Sequence, residues 1–203
     1  MLSYLYLLGI TVEAMSGALS AGRKKMDFVG VLIIGNVTAF GGGTVRDILV
    51  GNYPLTWVNH PEYLILTSVS VVLAIFLVHY LKQANRLFLV LDAIGLVAFS
   101  VIATEIGISL DMTPIIVCVM AMVTGICGGM LRDILCNDLP LVLRKELYAL
   151  VSCFSAVLYI LIMSLNILPK LIIELTVVIS GVLLRLSAIY WHLEVPRFTF
   201  DED

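Results

Sequence analysis

The fold of this chain is decided by one stretch, Phe40-Gly41-Gly42-Gly43-Thr44-Val45-Arg46-Asp47-Ile48-Leu49, which lies inside an otherwise apolar run. Its three glycines free the backbone and weaken a helix. The arginine and the aspartate that follow are costly in hydrocarbon, so an apolar span that keeps both usually builds a functional site. This stretch is therefore the first half of a candidate site within a membrane.

The same pattern returns 86 residues later, in Cys127-Gly128-Gly129-Met130-Leu131-Arg132-Asp133-Ile134-Leu135. Pro54-Leu55 matches Pro140-Leu141 at that offset, and Gly9 matches Gly95. Two copies of a glycine-rich segment followed by an Arg-Asp pair indicate an internal repeat.

The composition indicates an integral membrane protein. Of the 203 residues, 61% are hydrophobic and 13% are charged, whereas soluble domains carry roughly 25% charge. The net charge of −3 gives no support for a nucleic-acid partner. The four cysteines form no Cys-x-x-Cys pair and the three histidines are far apart in sequence, so we predict no metal site and no cofactor.

Apolar runs of about 20 residues predict seven transmembrane helices, at about residues 2–21, 28–49, 63–81, 87–106, 115–136, 147–165 and 171–191. Basic residues follow the first span instead of preceding it, which is the reverse of a signal peptide. The predicted units are a three-helix repeat over residues 1–86, a second repeat over 87–168, and a seventh helix with an acidic, disordered tail over 169–203. An odd number of spans per repeat makes the second copy inverted in the membrane.

The loops predict the orientation through their lysines and arginines. Eight of these residues fall on one side of the membrane, and only Lys170 falls on the other. We therefore expect a multi-pass protein with its N-terminus outside and its C-terminus in the cytoplasm.

Broken helices in a membrane usually line a hydrated cavity, because only protein or water can satisfy the freed backbone groups. Freed carbonyl groups would attract cations and freed amides would attract anions. The alternative role of the glycines is close packing against a neighbouring helix. The predicted pore residues are Gly41, Gly42, Gly43, Thr44, Arg46, Asp47, Gly128, Gly129, Arg132 and Asp133.

The charged pairs also need partners. Arg46 and Asp47 point about 100° apart on a helix, so we expect them to pair poorly with each other. The two Arg-Asp pairs are expected to stand roughly 12 Å apart along the membrane normal, which is too far for pairing between repeats. The candidate partners are Glu13 or Glu174 for Arg46, and Asp92 for Arg132 or Arg185. Ion pairing that only fixes the helix packing remains an alternative to a role in a pore.

At these motifs the sequence resembles the bacterial UPF0126 family, which is related to the trimeric intracellular cation (TRIC) channels. The resemblance covers nearly the whole chain and is carried by Glu13-Ala14-Met15-Ser16-Gly17-Ala18, Gly41-Gly42-Gly43-Thr44-Val45-Arg46-Asp47, Tyr53-Pro54-Leu55-Thr56-Trp57, His60-Pro61-Glu62-Tyr63 and Gly128-Gly129-Met130-Leu131-Arg132-Asp133. It implies a homotrimer in the bacterial inner membrane, with one pathway in each protomer that passes monovalent cations, chiefly potassium. It also implies that the second and fifth spans kink at their glycines around that pathway.

The same family is also labelled a glycine transporter, so a secondary transporter of glycine or another small zwitterion is the main alternative. A structural or assembly role is a third hypothesis. Animal TRIC channels carry a Lys-Glu-Val signature where this chain has Thr44-Val45-Arg46-Asp47, so regulation by a phosphoinositide is not expected here. The sequence contains no nucleophile–base pattern and no phosphate loop, and we predict that the protein is not an enzyme.

Overall fold

The computed structural model describes residues 2–80, 84–144, 147–191 and 193. These residues form α-helices and short loops and contain no strand. The helices are α1 (Leu2–Arg23), α2 (Phe28–Val50), α3 (Thr56–Asn59), α4 (Glu62–Tyr80), α5 (Ala84–Ser109), α6 (Pro114–Leu135), α7 (Leu141–Arg144), α8 (Leu147–Ser164) and α9 (Lys170–Tyr190). The predicted disordered tail at 198–203 lies outside the described residues, as does residue 81 at the end of the predicted third span.

Six of the described helices are long and apolar enough to cross a membrane, namely α1, α2, α5, α6, α8 and α9. The remaining candidate is α4, whose apolar part, Glu62–Val78, is shorter. The all-helical membrane fold is therefore as predicted, whereas the count of seven spans stays a prediction that depends on α4.

Local sequence explains where several of these helices begin and end. Asp27 precedes α2, and its side chain accepts a hydrogen bond from the Gly30 amide at 2.7 Å, which satisfies one free donor of the first turn. Gly51 ends the same helix with a φ of 69°, a left-handed conformation that glycine adopts without strain. Pro114 begins α6, where its missing amide hydrogen costs no helical hydrogen bond.

Among the described residues, the two largest apolar cores share α5. The first core joins α1, α2 and α4, with Ile10, Ile34 and Val71 fully or almost fully buried. The second joins α6, α8 and α9, and α5 contributes Phe99 to the first core and Val101 to the second. Because α5 serves both cores, it is the most buried of the six candidate spans, with 78% of its most apolar segment inside the protein.

The outer faces of the same helices carry large apolar side chains. Ile33, Ile65, Ile115, Leu161 and Ile179 are each more than half exposed. A soluble protein rarely exposes so much contiguous apolar surface. The surface is therefore the one expected of helices that face lipid.

A candidate ion pathway with two buried arginines

The glycines of the repeated motif lie where α2 crosses α6. A Cβ atom added to Gly42 would overlap the backbone oxygen of Thr124, and one added to Gly128 would lie 2.5 Å from the backbone oxygen of Thr38. These two contacts are reciprocal, because residues 42 and 128, and residues 38 and 124, are each 86 positions apart. Only glycine permits so close an approach of the two backbones.

The predicted helix breaks do not occur. The helix α2 continues without interruption through Gly41, Gly42 and Gly43, and α6 does so through Gly128 and Gly129. Gly42 and Gly128 serve the close packing of two intact helices. The backbone carbonyl groups of the glycine runs remain within these helices and are not free to coordinate cations. Glycine breaks these helices less readily than the sequence predicted, because a buried helix keeps its hydrogen bonds when its neighbours pack tightly against it.

Each arginine of the motif pairs with the aspartate that follows it, contrary to the prediction. Arg46 donates from Nε and Nη2 to Asp47 Oδ1 at 3.0 and 2.7 Å, and Arg132 Nε donates to Asp133 Oδ1 at 2.8 Å. The angle of 100° between neighbouring residues separates the Cβ directions, but the long arginine side chain reaches around the helix. All four side chains are nearly fully buried.

The second oxygen of each aspartate binds the backbone of the following loop. Asp47 Oδ2 accepts from the Thr56 amide at 2.7 Å, and Asp133 Oδ2 accepts from the Leu141 amide at 2.8 Å. These amides belong to the first residues of α3 and α7, which have no intrahelical partner. Each aspartate therefore holds an arginine with one oxygen and a loop helix with the other.

The surroundings of Arg132 are rich in carboxyl groups. Its Nη1 donates to Asp92 Oδ1 at 2.7 Å and to Ser16 Oγ at 2.9 Å. Ser16 in turn donates to Glu13 Oε2 at 3.3 Å. With Asp133, three carboxyl groups therefore surround one guanidinium.

Two aromatic side chains complete this site. The ring of Phe88 lies 4.6 Å from the guanidinium carbon of Arg132, a distance that permits a cation–π interaction. Tyr148 donates a hydrogen bond to Asp92 Oδ1 at 3.1 Å. Asp92 Oδ2 and Arg132 Nη2 are buried without a hydrogen-bond partner, so the site retains one free acceptor and one free donor.

Arg46 has fewer partners. Among the described residues, Asp47 is the one carboxylate within salt-bridge distance of it, and its Nη2 also donates to Thr56 Oγ1 at 3.2 Å. Its Nη1 is buried and has no hydrogen-bond partner. The guanidinium lines a cavity of about 240 Å³ together with Tyr6, Thr56 and His60.

The predicted partners of Arg46 lie elsewhere, and this part of the prediction is wrong. Glu13 belongs to the Arg132 site, where the missing side chain of Gly95 leaves space for its carboxyl group. Glu174 lies beside Glu105, and Glu105 forms a salt bridge with Lys170. The position of each glutamate in its span predicts its depth in the membrane but not the neighbouring helix that its side chain faces.

The other predicted site residues occupy different positions. Arg185 packs on the ring of Tyr148 at 4.5 Å, and its Nε and Nη2 have no hydrogen-bond partner, so it reaches Asp92 only through the tyrosine. Thr44 accepts a hydrogen bond from Trp57 Nε1 at 3.1 Å. Because Thr44 lies two residues before Arg46, it points about 200° away from it around the helix.

Four residues that shape the two sites were not predicted from the sequence, namely Tyr6, Ser16, Phe88 and Tyr148. The spacing of three residues between Glu13 and Ser16 on one helix could have indicated their contact. Within the residues that the structure describes, no group of three His, Cys, Asp or Glu side chains is arranged to hold a metal ion.

Comparison with known proteins finds a family model and related membrane proteins that match most of the chain. A family model described as "Glycine transporter" matches residues 3–79 and 89–164. The UPF0126 inner membrane protein YadS of Escherichia coli K12 is 36% identical over 98% of this chain and 97% of its own length. A UPF0126 membrane protein of Vibrio cholerae is 38% identical over 97% of this chain and 83% of its own.

Solved structures of TRIC channels have a similar fold. The trimeric intracellular cation channel orthologue of Rhodobacter sphaeroides superimposes with a TM-score of 0.88 and 31% identity, over 95% of this chain and 98% of that one. A second TRIC structure, described in a study of conductance through these cation channels, has a TM-score of 0.86 and 29% identity over 99% of this chain and 98% of that one.

Proposed function

This chain belongs to the UPF0126 family of membrane proteins, and on that premise we propose that it is a channel for monovalent cations, chiefly potassium. The observation that carries the proposal is the fold shared with solved TRIC cation channels over nearly the whole chain. We propose a homotrimer in the bacterial inner membrane, with one pathway inside each protomer and the C-terminus in the cytoplasm.

The buried charges support a cation pathway beside the crossing of α2 and α6. Three carboxyl groups surround Arg132 and leave one acceptor oxygen, Asp92 Oδ2, unpaired. An excess of carboxyl groups in a medium of low dielectric constant attracts cations. The Arg132 site would form one end of the pathway, on one side of the glycine contacts.

The close contact between Gly42 and Thr124 blocks the space between α2 and α6 at this level. Conduction between these two helices would therefore require them to move apart or to bend. Glycine makes bending inexpensive because it lacks a side chain. A kink at Gly41–Gly43 and Gly128–Gly129 is thus proposed for the conducting state, although both helices are uninterrupted here.

The protomers would associate through helices other than α9. This helix packs within the protomer against α5 and α8, where Val177 is completely buried. Other spans, such as α4 and α6, expose large apolar side chains that a neighbouring protomer or lipid would cover. A structure in which α9 crosses into a neighbouring protomer would contradict this proposal.

A secondary transporter of glycine remains the second candidate, because the matching family model has that description. The Arg46 guanidinium in its cavity offers a group for the carboxylate of a zwitterion. The backbone of the glycine runs offers fewer groups for binding a zwitterion than the sequence suggested, since its amides and carbonyls lie within uninterrupted helices.

Reconstitution of the purified protein separates the two functions. In a planar bilayer with a potassium chloride gradient, a channel gives unitary current steps that reverse near the potassium equilibrium potential. A transporter gives saturable glycine uptake that depends on an ion gradient, without such steps. A reporter fused after Asp203 tests the orientation, and an extracellular reporter would contradict the proposed topology.

A further inference from the structure

The two arginines of the repeat differ in one position of their surroundings. Asp92, which binds Arg132, lies 86 residues after Tyr6, and the same offset relates Arg132 to Arg46. The structure places Tyr6 and Asp92 at equivalent positions of the two repeats. Tyr6 lies near Gly43 and Arg46, and Asp92 lies near the matching pair, Gly129 and Arg132. A tyrosine therefore stands in the first repeat where the second repeat has a carboxylate.

This exchange leaves Arg46 with one carboxylate partner where Arg132 has two. Arg46 is only 2% exposed, and its Nη1 has no hydrogen-bond partner. Burying a charged guanidinium donor without a partner costs more free energy than burying a neutral donor without one. In the second repeat, the corresponding guanidinium has Asp92 as a second carboxylate partner.

The first repeat has a cavity at this position. The cavity of about 240 Å³ is lined by Arg46 and by the polar residues Ser3, Tyr6, Thr56 and His60. The Thr56 hydroxyl oxygen accepts hydrogen bonds from Arg46 and Asn52, so its own proton can be donated to a ligand. The nearest carboxylate, Asp47, already uses both oxygens for Arg46 and the Thr56 amide.

We propose that this cavity binds a small monovalent anion, which contacts Arg46 in the way that Asp92 contacts Arg132. The shared chemistry is a compact negative charge that accepts hydrogen bonds from a guanidinium, as a halide ion or a small carboxylate such as formate or acetate does. The volume of the cavity is large enough for either. The proposal concerns binding only, so it does not depend on whether the protein conducts cations.

Thermal unfolding of the detergent-solubilised, full-length protein tests the proposal. Chloride, formate or acetate replaces the bulky anion isethionate at constant ionic strength and constant sodium. A ligand that binds only the folded state raises Tm in a saturable way, and we expect a rise of about 2–4 °C for the wild type. A rise with chloride alone identifies a halide site, and a rise with formate or acetate alone identifies a carboxylate site. A rise with all three supports the shared site.

Two variants remove the site in different ways. Arg46→Gln removes the guanidinium, and Tyr6→Asp supplies the carboxylate that the second repeat already has. Both should lose the anion-dependent rise in Tm. The matched control is Arg144→Gln, which removes an exposed guanidinium that binds the Leu139 carbonyl outside the cavity and should keep the full rise.

A direct measurement covers the case in which a variant does not fold. Crystals of the wild-type protein grown in sodium bromide should show an anomalous bromine peak in the cavity next to Arg46. The proposal is overturned if the wild type shows no anion-dependent rise in Tm and no bromine peak there. It is also overturned if folded Arg46→Gln and Tyr6→Asp proteins show the same rise as the wild type.

Discussion

The Arg46 and Arg132 sites share a motif but differ in what surrounds it. In both, an arginine pairs with the next aspartate, and that aspartate holds the first amide of a loop helix. The difference comes from α1 and α5, the helices that lie beside the crossing. α1 gives Tyr6 to the first site and Ser16 to the second, two residues about 15 Å apart along a helix.

The comparison shows that a repeat can conserve a local motif while its neighbours give the two copies different charges. One guanidinium has one carboxylate partner and a cavity, whereas the other has two direct carboxylate partners and a third carboxyl group nearby. A cation would therefore meet surroundings of different charge at the two sites.

The largest expected effect is the loss of Arg132. Arg132→Met leaves Asp92, Asp133 and the nearby Glu13 without a cation inside the bundle, and breaking a buried pair in this way costs about 3–5 kcal/mol. Arg46→Met leaves only Asp47 unpaired, next to a cavity that water can enter, so its cost should be smaller, at about 1–3 kcal/mol. Thermal unfolding in detergent and the yield of folded protein measure both.

An equal loss of stability in the two variants would contradict the difference between the sites. Arg144→Met, which changes an exposed arginine, is the control for the effect of losing a positive charge and should change Tm little.

The next effect concerns the two helices that carry the sites. Gly42→Ala should destabilise the protein by about 1–3 kcal/mol, because its Cβ would overlap the Thr124 carbonyl oxygen and force α2 and α6 apart. Gly43→Ala is the matched control. Its Cβ would lie 3.7 Å from the Tyr6 hydroxyl, an ordinary contact, and alanine favours a helix by up to about 1 kcal/mol over glycine.

Thermal unfolding of these two variants, in the same detergent, distinguishes close packing from a requirement for flexibility alone. If Gly43→Ala destabilises the protein as much as Gly42→Ala, the glycines do not act through the contact between α2 and α6. Leucine at residue 42 is a poor test of pore blocking for the same reason, since it would disturb the packing before it could fill a pathway.

The sequence alone predicted part of the fold and part of the two sites. The apolar composition and the offset of 86 residues predicted the membrane helices and the equivalence of Arg46 and Arg132. The pairing within each motif was missed, because helical angles fix where a side chain starts but not how far an arginine reaches. The partners of Glu13 and Glu174 were missed because they depend on which helices pack together. Tyr6 opposite Asp92 could have been noticed by applying the offset to every charged residue.

A smaller effect is expected on conductance. Asp92→Asn keeps the shape of the side chain and leaves Arg132 paired with Asp133, but it removes one negative charge beside the proposed pathway. The unitary potassium conductance should fall by about twofold or more at low salt, and the reduction should shrink as salt rises, because screening shortens the range of the charge. Asp111→Asn is the control, since Asp111 lies exposed in the loop between α5 and α6.

Unchanged unitary currents in folded Asp92→Asn protein would mean that the carboxyl groups around Arg132 do not face the ion path. The pathway would then have to be sought elsewhere, for example between protomers.

The smallest expected effect distinguishes the two faces of the protein. On the side of the Arg132 site, Lys24 Nζ and Asp138 Oδ1 form a salt bridge of 2.8 Å that ties the α1–α2 loop to the loop after α6. The repeat places Leu110 and Asn52 at the corresponding positions on the other face, so this bridge has no counterpart there. Both partners are about one-third exposed, and Asp138→Asn should therefore cost less than about 1 kcal/mol.

The stability lost in Asp138→Asn should decrease as the pH falls. The hydrogen bond from Lys24 is the main reason that the pKa of Asp138 lies below its ordinary value, and Arg144 and Arg23 add to it. A carboxyl group whose pKa is lower in the folded state stabilises the fold above its unfolded pKa, and this contribution is lost as the pH falls through the folded pKa. The difference in Tm between wild type and Asp138→Asn should thus be constant from pH 6 to 8, shrink below about pH 4, and shrink also in high salt. A difference that grows on acidification would show that Asp138 acts through contacts other than its charge.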